Sequence, residues 1–271
     1  MRTNVPAPVA PLFRWPGGKR WLANWLVESF PPDRERYFEP FLGGGAVYFR
    51  LQPTEATLSD ANVDLIECLT AVRDEPEAVI AKLAAMPQGK ETYRRVRRTR
   101  PRSSAGRAAR FIYLSNLAFN GIYRVNRDGR FNVPYSGRRY PSLRDGDVIR
   151  AASSVLATAE ILACDFEVAV RGATPKDLCY FDPPYTVAHE NNGFLKYNQR
   201  IFSWDDQVRL AAVARRLADR GCYVAVSSAA HESVRPLYSD FREVRLSRAS
   251  VVSASTRGRA QVGESVFLSW D

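Results

Sequence analysis

The sequence is poor in the residues that carry metal chemistry. Of 271 residues only two are histidine, His189 and His231, and four are cysteine, Cys68, Cys164, Cys179 and Cys222. No Cys-x-x-Cys occurs, and neither histidine begins a His-Glu-x-x-His. The common zinc spacings are therefore missing, as is the His-x-Glu…Cys-x-x-Cys signature of zinc deaminases. No metal is expected. The scattered cysteines read as small core residues of a reducing compartment. No apolar run approaches the roughly 20 residues that span a bilayer. The opening "MRTNVPAPVAPL" lacks the apolar core of a signal peptide and reads as a loose arm on a cytoplasmic protein.

Lysine and acid are missing from one long stretch. Residues 94–144 hold 14 arginines, no lysine and one acid, Asp128, a net +13. The other 25 basic and 28 acidic residues leave −3 elsewhere, so the whole excess of +10 sits in that block. Dispersed charge only solvates a surface. A single Arg-rich block with interleaved aromatics and Asn points to phosphates and base edges. An acidic protein partner or a disordered basic loop are the competing readings.

The chain length suits one large domain or a core with an insertion, and 45% hydrophobic residues can fill a sizeable core. Short apolar runs at 36–41, 56–60, 160–166, 177–182 and 223–228 read as buried strands. Residues 242–247 and 265–270 read as later strands, an antiparallel hairpin at the sheet edge. "DDQVRLAAVARRLADRG" (205–221) reads as an amphipathic helix. Its expected apolar side is Val208, Ala211, Ala212, Leu217 and Ala218, with Gly221 just past its end. Strand–helix alternation implies a mostly parallel α/β sheet. The pattern breaks near residues 70–145, where helices at 75–86 and 106–119 precede a Gly/Asn/Arg-rich tract. "NRDGRF" there reads as a hairpin turning at Asp128-Gly129.

Three stretches suggest a ligand. "EPFLGGGAVYF" (39–49) follows a strand and opens a helix, so bare backbone can approach a bound group. Tyr48 stands where a dinucleotide fingerprint needs glycine, and no Gly-Lys-Ser/Thr follows, so a nucleotide-like ligand without a pyrophosphate fits better. Asp60 ends the next strand and can accept hydrogen bonds from a ribose or amine, or cap a helix. "FRWPGGKR" (13–20) offers Trp15 and Lys19, or is a loop with a solvated lysine. Finally "LCYFDPPYT" (178–186) drives a buried strand into Asp182, then Pro183, Pro184 and Tyr185. The prolines hold the chain extended and leave carbonyls that only accept.

Six stretches in this order, "FRWPGGK", "FEPFLGGGAVYF", "LSDANVDLI", "FNGIYRVNRDGRFNVPY", "YFDPPY" and "FSWDDQVRLA", span nearly the whole chain. Together they resemble the Dam-type DNA adenine-N6 methyltransferases. The resemblance implies a Rossmann-like, mostly parallel sheet with an antiparallel edge hairpin. It divides the chain into a catalytic domain, 1–69 with 146–271, and an inserted, mainly helical target-recognition domain, 70–145. It implies S-adenosylmethionine as methyl donor, held by Trp15, Lys19, Phe41, Gly43, Gly45, Asp60, Asp165, Phe166 and Asp182. The catalytic group is Asp182, Pro183, Pro184 and Tyr185, acting on a flipped-out adenine of duplex DNA at a short GATC-like site. Phe119, Asn120, Arg124, Asn126, Pro134, Arg138 and Arg139 are the expected DNA contacts. Phe119 departs from the family, where many members have Tyr, and so lacks the hydroxyl. The aromatics of 186–204 are expected to cover the base or cofactor. The expected assembly is a monomer. A methyltransferase acting on RNA or protein glutamine, or a silent DNA-binding protein on the same fold, are the alternatives. Asp182 argues against the glutamine enzymes, which usually carry Asn before the two prolines.

Overall fold

The computed structural model describes residues 9–126, 128–140, 145–185, 202–249 and 261–271. The start of the expected N-terminal arm, nearly all of the loop 186–204, Arg127 and Arg144 lie outside the described residues. The chain divides into two compact units, Met1–Phe30 with Leu42–Asp165, and Pro31–Phe41 with Phe166–Asp271. Seven strands form a mixed sheet in the order β3-β2-β1-β4-β5-β7-β6. They are β1 (Tyr37–Glu39), β2 (Ala56–Asp60), β3 (Ala159–Ala163), β4 (Leu178–Phe181), β5 (Tyr223–Ala229), β6 (Arg242–Ala249) and β7 (Gln261–Leu268). The pairs β2/β3, β1/β4 and β4/β5 are parallel, whereas β5/β7 and β6/β7 are antiparallel. The expected mostly parallel sheet with an antiparallel edge is therefore present. β1 is shorter than the run 36–41 because Pro40 has no N–H to give a ladder.

The first unit is mainly helical. Its helices are α1 (Ala23–Ser29), α2 (Tyr48–Leu51), α3 (Val63–Asp74), α4 (Pro76–Ala84), α5 (Lys90–Arg98), α6 (Ser104–Leu117) and α7 (Gly146–Leu156). Asn62 caps α3 by accepting the Leu65 N–H, and Ser103 caps α6 by accepting that of Gly106. Helix α6 is buried on nearly every side from Phe111 to Leu117 and packs against α3, α4 and α5. Burying each large apolar side chain there contributes about 1.5–3 kcal/mol.

The second unit holds α8 (Phe166–Ala169) and α9 (Trp204–Asp219). Ser203 and Asp206 form a reciprocal capping box that starts α9. The buried face of α9 is Gln207, Leu210, Ala211, Val213, Ala214 and Leu217, which corrects the apolar side expected from sequence. Val208 is 44% exposed, and Ala212 and Ala218 are only partly covered. Leu210 and Val213 are larger than the alanines, so they set which stripe at 3–4 spacing turns inward. Gly221, with φ +91°, ends the helix as expected.

Period-two alternation sorts the second unit's strands into two faces. Phe38, Cys179, Phe181, Val224, Val226 and Phe267 pack with α9 into one apolar core. Tyr37, Glu39, Tyr180 and Ser227 occupy the alternate positions, and all are buried. This second face is polar inside, and its hydroxyls are bonded: Tyr37 Oη donates to Glu39 Oε2 at 2.9 Å, and Tyr180 Oη lies 2.9 Å from Ser227 Oγ. A buried polar side chain left without a partner would cost about 1–3 kcal/mol.

Candidate active site and recognition hairpin

The glycine-rich turn lies in the first unit, and two backbone bonds shape it. Leu42 N–H donates to Ser59 O at 2.9 Å, and Gly45 N–H to Leu42 O at 2.7 Å. Gly43 and Gly45 take φ +48° and +65°, a region costly for other residues. A Cβ on Gly43 would stand 2.7 Å from the Trp15 indole. Trp15 is thus wedged against the turn, and the glycine is required by the indole itself.

Asp60 closes the turn from the end of β2. Its Oδ2 accepts the Gly43 N–H at 3.0 Å, and its Oδ1 that of Asn62 at 2.9 Å. Burial pushes its carboxyl up, against those two bonds, which favour the ionised form. Helix α3 is capped by Asn62, so Asp60 is not the cap. Lys19 is 4% exposed, and its Nζ donates to Gly17 O at 3.1 Å. A buried ammonium, a buried carboxylate and bare glycine backbone form a donor and acceptor set that suits an amino-acid end joined to a ribose. These residues fit S-adenosylmethionine on that ground.

Phe41, Asp165 and Phe166 are further residues expected at the cofactor. The Phe166 ring is buried, stacked on Phe41 at 5.3 Å, tilted against Phe202 at 6.1 Å and capped by the Arg209 guanidinium at 4.1 Å. Phe41 is half-buried in the same aromatic group, and Asp165 is exposed.

The Asp-Pro-Pro-Tyr segment follows β4 directly. Asp182 is half-buried, Pro183 buried, and Pro184 and Tyr185 half-buried. The Tyr185 hydroxyl is itself fully buried, so what the residue exposes is ring. Burial, then the Asp182 charge, then Glu264 push the Tyr185 hydroxyl well above its ordinary value. Tyr180 is raised by burial and then by Asp182, and Tyr37 by burial and then by Glu39. Asp182 therefore sits above a buried layer of un-ionised tyrosines. Glu39, Tyr180 and Glu264 were passed over in the sequence, although their alternation with the apolar core positions was a visible signal.

The recognition tract belongs to the first unit. Phe119–Gly121 is a single 3-10 turn in which Asn120 takes φ +54°. Phe119 is 53% exposed although apolar, and Asn120 is exposed beside it. A bridge pairs Val125 with Phe131, and Gly129 N–H donates to Asn126 O at 3.0 Å, giving the expected narrow hairpin. Within it, Asn126 Oδ1 accepts the N–H groups of Asp128 and Arg130. The Asn126 side chain is thus committed to the turn, which leaves its carbonyl oxygen poorly placed for a base edge. Arg124 is exposed, with Nε donating to Asn132 Oδ1 at 2.9 Å. Pro134, Arg138 and Arg139 are exposed. The arginine block sorts into two groups. Arg97, Arg100, Arg107 and Arg110 bond the protein's own carbonyls or carboxylates. Arg94, Arg95, Arg98, Arg138 and Arg139 face solvent.

Among the described residues no cluster of His, Cys, Asp and Glu could hold a metal ion, and no helix is long and apolar enough to cross a membrane. The family model for D12 class N6 adenine-specific DNA methyltransferases matches residues 15–252. The chain is 36% identical over 261 residues to the type II methyltransferase M1.LlaDCHI of Lactococcus lactis subsp. cremoris, covering 92% of each. It is 32% identical over 243 residues to the type II methyltransferase M.MjaIII of Methanocaldococcus jannaschii, covering 81% of this chain and 84% of that one. It is 31% identical over 264 residues to a DNA adenine methylase of Vibrio cholerae serotype O1, covering 94% of each. The chain belongs to the D12 class of N6 adenine-specific DNA methyltransferases.

Proposed function

We propose that this enzyme methylates N6 of an adenine flipped out of duplex DNA, at a short GATC-like site, as a cytoplasmic monomer using S-adenosylmethionine. The observation that carries the reading is the end of β4, where Asp182, the Pro183 carbonyl and the Tyr185 ring follow one another on a proline-stiffened segment. S-adenosylmethionine supplies a methyl group on a sulfonium. Lys19, Asp60 and the backbone of 43–45 would hold it, and the resemblance adds Trp15, Phe41, Asp165, Phe166 and Asp182.

Adenine N6 is a weak nucleophile because its lone pair is delocalised into the ring. Asp182 accepts one N6 hydrogen and the Pro183 carbonyl accepts the other, which draws N6 toward tetrahedral geometry and localises its lone pair. As the new N–C bond forms, N6 gains positive charge, and acceptors already fixed in place stabilise that charge more than the ground state. The sulfonium S–C bond breaks as the N–C bond forms, leaving a neutral thioether, and Asp182, already accepting an N6 hydrogen, would take the proton that N6 sheds. A base inside a duplex cannot be reached, so it must leave the stack. The exposed Tyr185 ring is the platform it meets.

Residues 70–145 act as the recognition domain, and 1–69 with 146–271 as the catalytic one. Arg124 reads a guanine edge through O6 and N7. Phe119 and Asn120 stand at the vacated stack, where an apolar wedge suits unstacked base pairs. Arg138 and Arg139 meet phosphate. The test is transfer of labelled methyl from S-adenosylmethionine to unmethylated duplex DNA by purified protein. No incorporation, or incorporation at positions other than adenine N6, would overturn the reading.

A further inference from the structure

The recognition hairpin and the glycine-rich turn share one set of side chains. Tyr123 Oη donates to Asp64 Oδ2 at 2.7 Å. Asp64 lies in the first turn of α3, four residues after Asp60, which bonds the Gly43 N–H. On its ring face Tyr123 stacks on Trp15, with centroids 6.4 Å apart and planes 18° apart. Trp15 in turn is wedged against Gly43 and Gly44, whose added Cβ atoms would lie 2.7 and 3.1 Å from it. Phe111 backs both rings, at 6.2 Å from Trp15 and 4.4 Å from Tyr123. Phe131, across the hairpin, packs on Tyr123 at 5.2 Å.

Tyr123 immediately precedes Arg124, which has few other restraints. Its carbonyl accepts the Asn132 N–H at 3.1 Å, and its Nε bonds the Asn132 side chain. Both partners belong to the same hairpin, so they move with it. Tyr123 carries ring contacts from the hairpin into the body of the unit, to Phe111 and Trp15, and Phe131 packs on it from within the hairpin. Burial, then the bond to Asp64, push the Tyr123 hydroxyl well up.

We propose that Tyr123 and Asp64 are positioning residues for sequence choice: their hydrogen bond and the Trp15–Tyr123 stack fix where Arg124 projects and tie that position to the glycine-rich turn. The inference rests on the reading of Arg124 as a base reader. It predicts that loosening the pair blurs which adenines are methylated before it lowers how many are.

Tyr123→Phe keeps every ring contact and removes only the hydroxyl. Asp64 is at the surface, so Asp64→Ala leaves the core intact, and Asp64→Asn keeps an acceptor oxygen. Purified variants are incubated with S-adenosylmethionine and unmethylated phage DNA, and methylated adenines are read at single-base resolution. Tyr123→Phe and Asp64→Ala should each raise the share of methylation at sites one base from the wild-type consensus by about fivefold or more. The double variant should do no worse than either single, because both remove one bond. Asp64→Asn should keep the wild-type spectrum. An unchanged spectrum in both singles, a uniform loss at all sites, or effects that multiply in the double variant each overturn the positioning role. An Arg124→Ala protein that keeps the wild-type spectrum overturns the underlying reading of Arg124 instead, and the two failures are told apart by that control.

Discussion

The Asp60 carboxylate bonds the Gly43 N–H at 3.0 Å with one oxygen and the Asn62 N–H at 2.9 Å with the other. One side chain thus joins the glycine-rich turn to the start of α3. An amide at position 60 can serve only one of these donors with its oxygen. Asp60→Asn should weaken S-adenosylmethionine binding at least about tenfold, the loss typical of a hydrogen bond to a charged group. Isothermal titration checks this, and unchanged affinity sinks the assignment.

The same substitution has a pH signature. Burial raises the folded-state pKa of Asp60 above its unfolded value. Its contribution to stability is therefore fully present below the unfolded value of about 3.9 and is lost as pH rises through the folded one. Asparagine has no such titration. Urea unfolding across pH should show the stability difference moving in favour of Asp60→Asn as pH rises above about 4. A difference independent of pH contradicts the raised pKa.

Asp182→Ala removes the acceptor at the end of β4. Methyl transfer should fall by at least about 10²–10³-fold, the range for losing one preorganised electrostatic partner of a transition state. DNA binding by gel shift should persist. Near-normal turnover would remove Asp182 from the chemistry.

Arginines of the recognition tract should separate by the kind of loss they cause. Arg124→Ala should cost about 1–3 kcal/mol of discrimination at one base pair. Arg138→Ala and Arg139→Ala should weaken binding evenly on all sequences and lower the salt slope by about one each. An Arg124 variant that behaves like these two is a phosphate contact.

Asp177 is a purely structural control. Its side chain has no exposed surface, and it accepts from Arg36, from the Arg36 N–H and from Thr174. Burial pushes its carboxyl up, but Arg36 and Thr174 together hold it below the usual range. That stability is present above the unfolded pKa and is lost as pH falls through the folded one. Asp177→Ala removes the carboxylate, while the part-exposed Arg36 guanidinium keeps its bonds to Gly172 O and Thr174 Oγ1, and should cost about 1–3 kcal/mol in urea unfolding. A loss under about 1 kcal/mol would mean water replaces the carboxylate readily.

Much of the sheet was legible because parallel strands buried on both faces read as short apolar runs. β2 coincides with its predicted span, and β4 and β5 nearly so. The phase of α9 was not legible from alanines. Ala211 is buried, whereas Ala212 and Ala218 are only partly covered, and the larger Leu210 and Val213 decide the matter. Motif spacing located the candidate site but not the duties of its residues. Trp15 reads as a cofactor residue in a linear motif, yet its indole packs on Gly43, Phe111 and Tyr123. Asn126 is an expected DNA contact in the sequence, and the structure adds that its oxygen shapes its own turn. The Trp15 contacts are tertiary and no local pattern encodes them, whereas the Asn126 bonds are a local turn.

The position of β7 between β5 and β6 has a temporal side. Synthesis is vectorial, and domains fold as their residues emerge. β5 and β6 are made first, yet neither touches the other in the finished ladder. Until β7 follows, each carries an open row of backbone groups, the kind of edge that recruits other chains. Phe267, which stacks on Tyr238 at 4.7 Å, also arrives only then. The growing chain thus holds a gap in its sheet for the last described strand, and that interval is when a chaperone has most to shield.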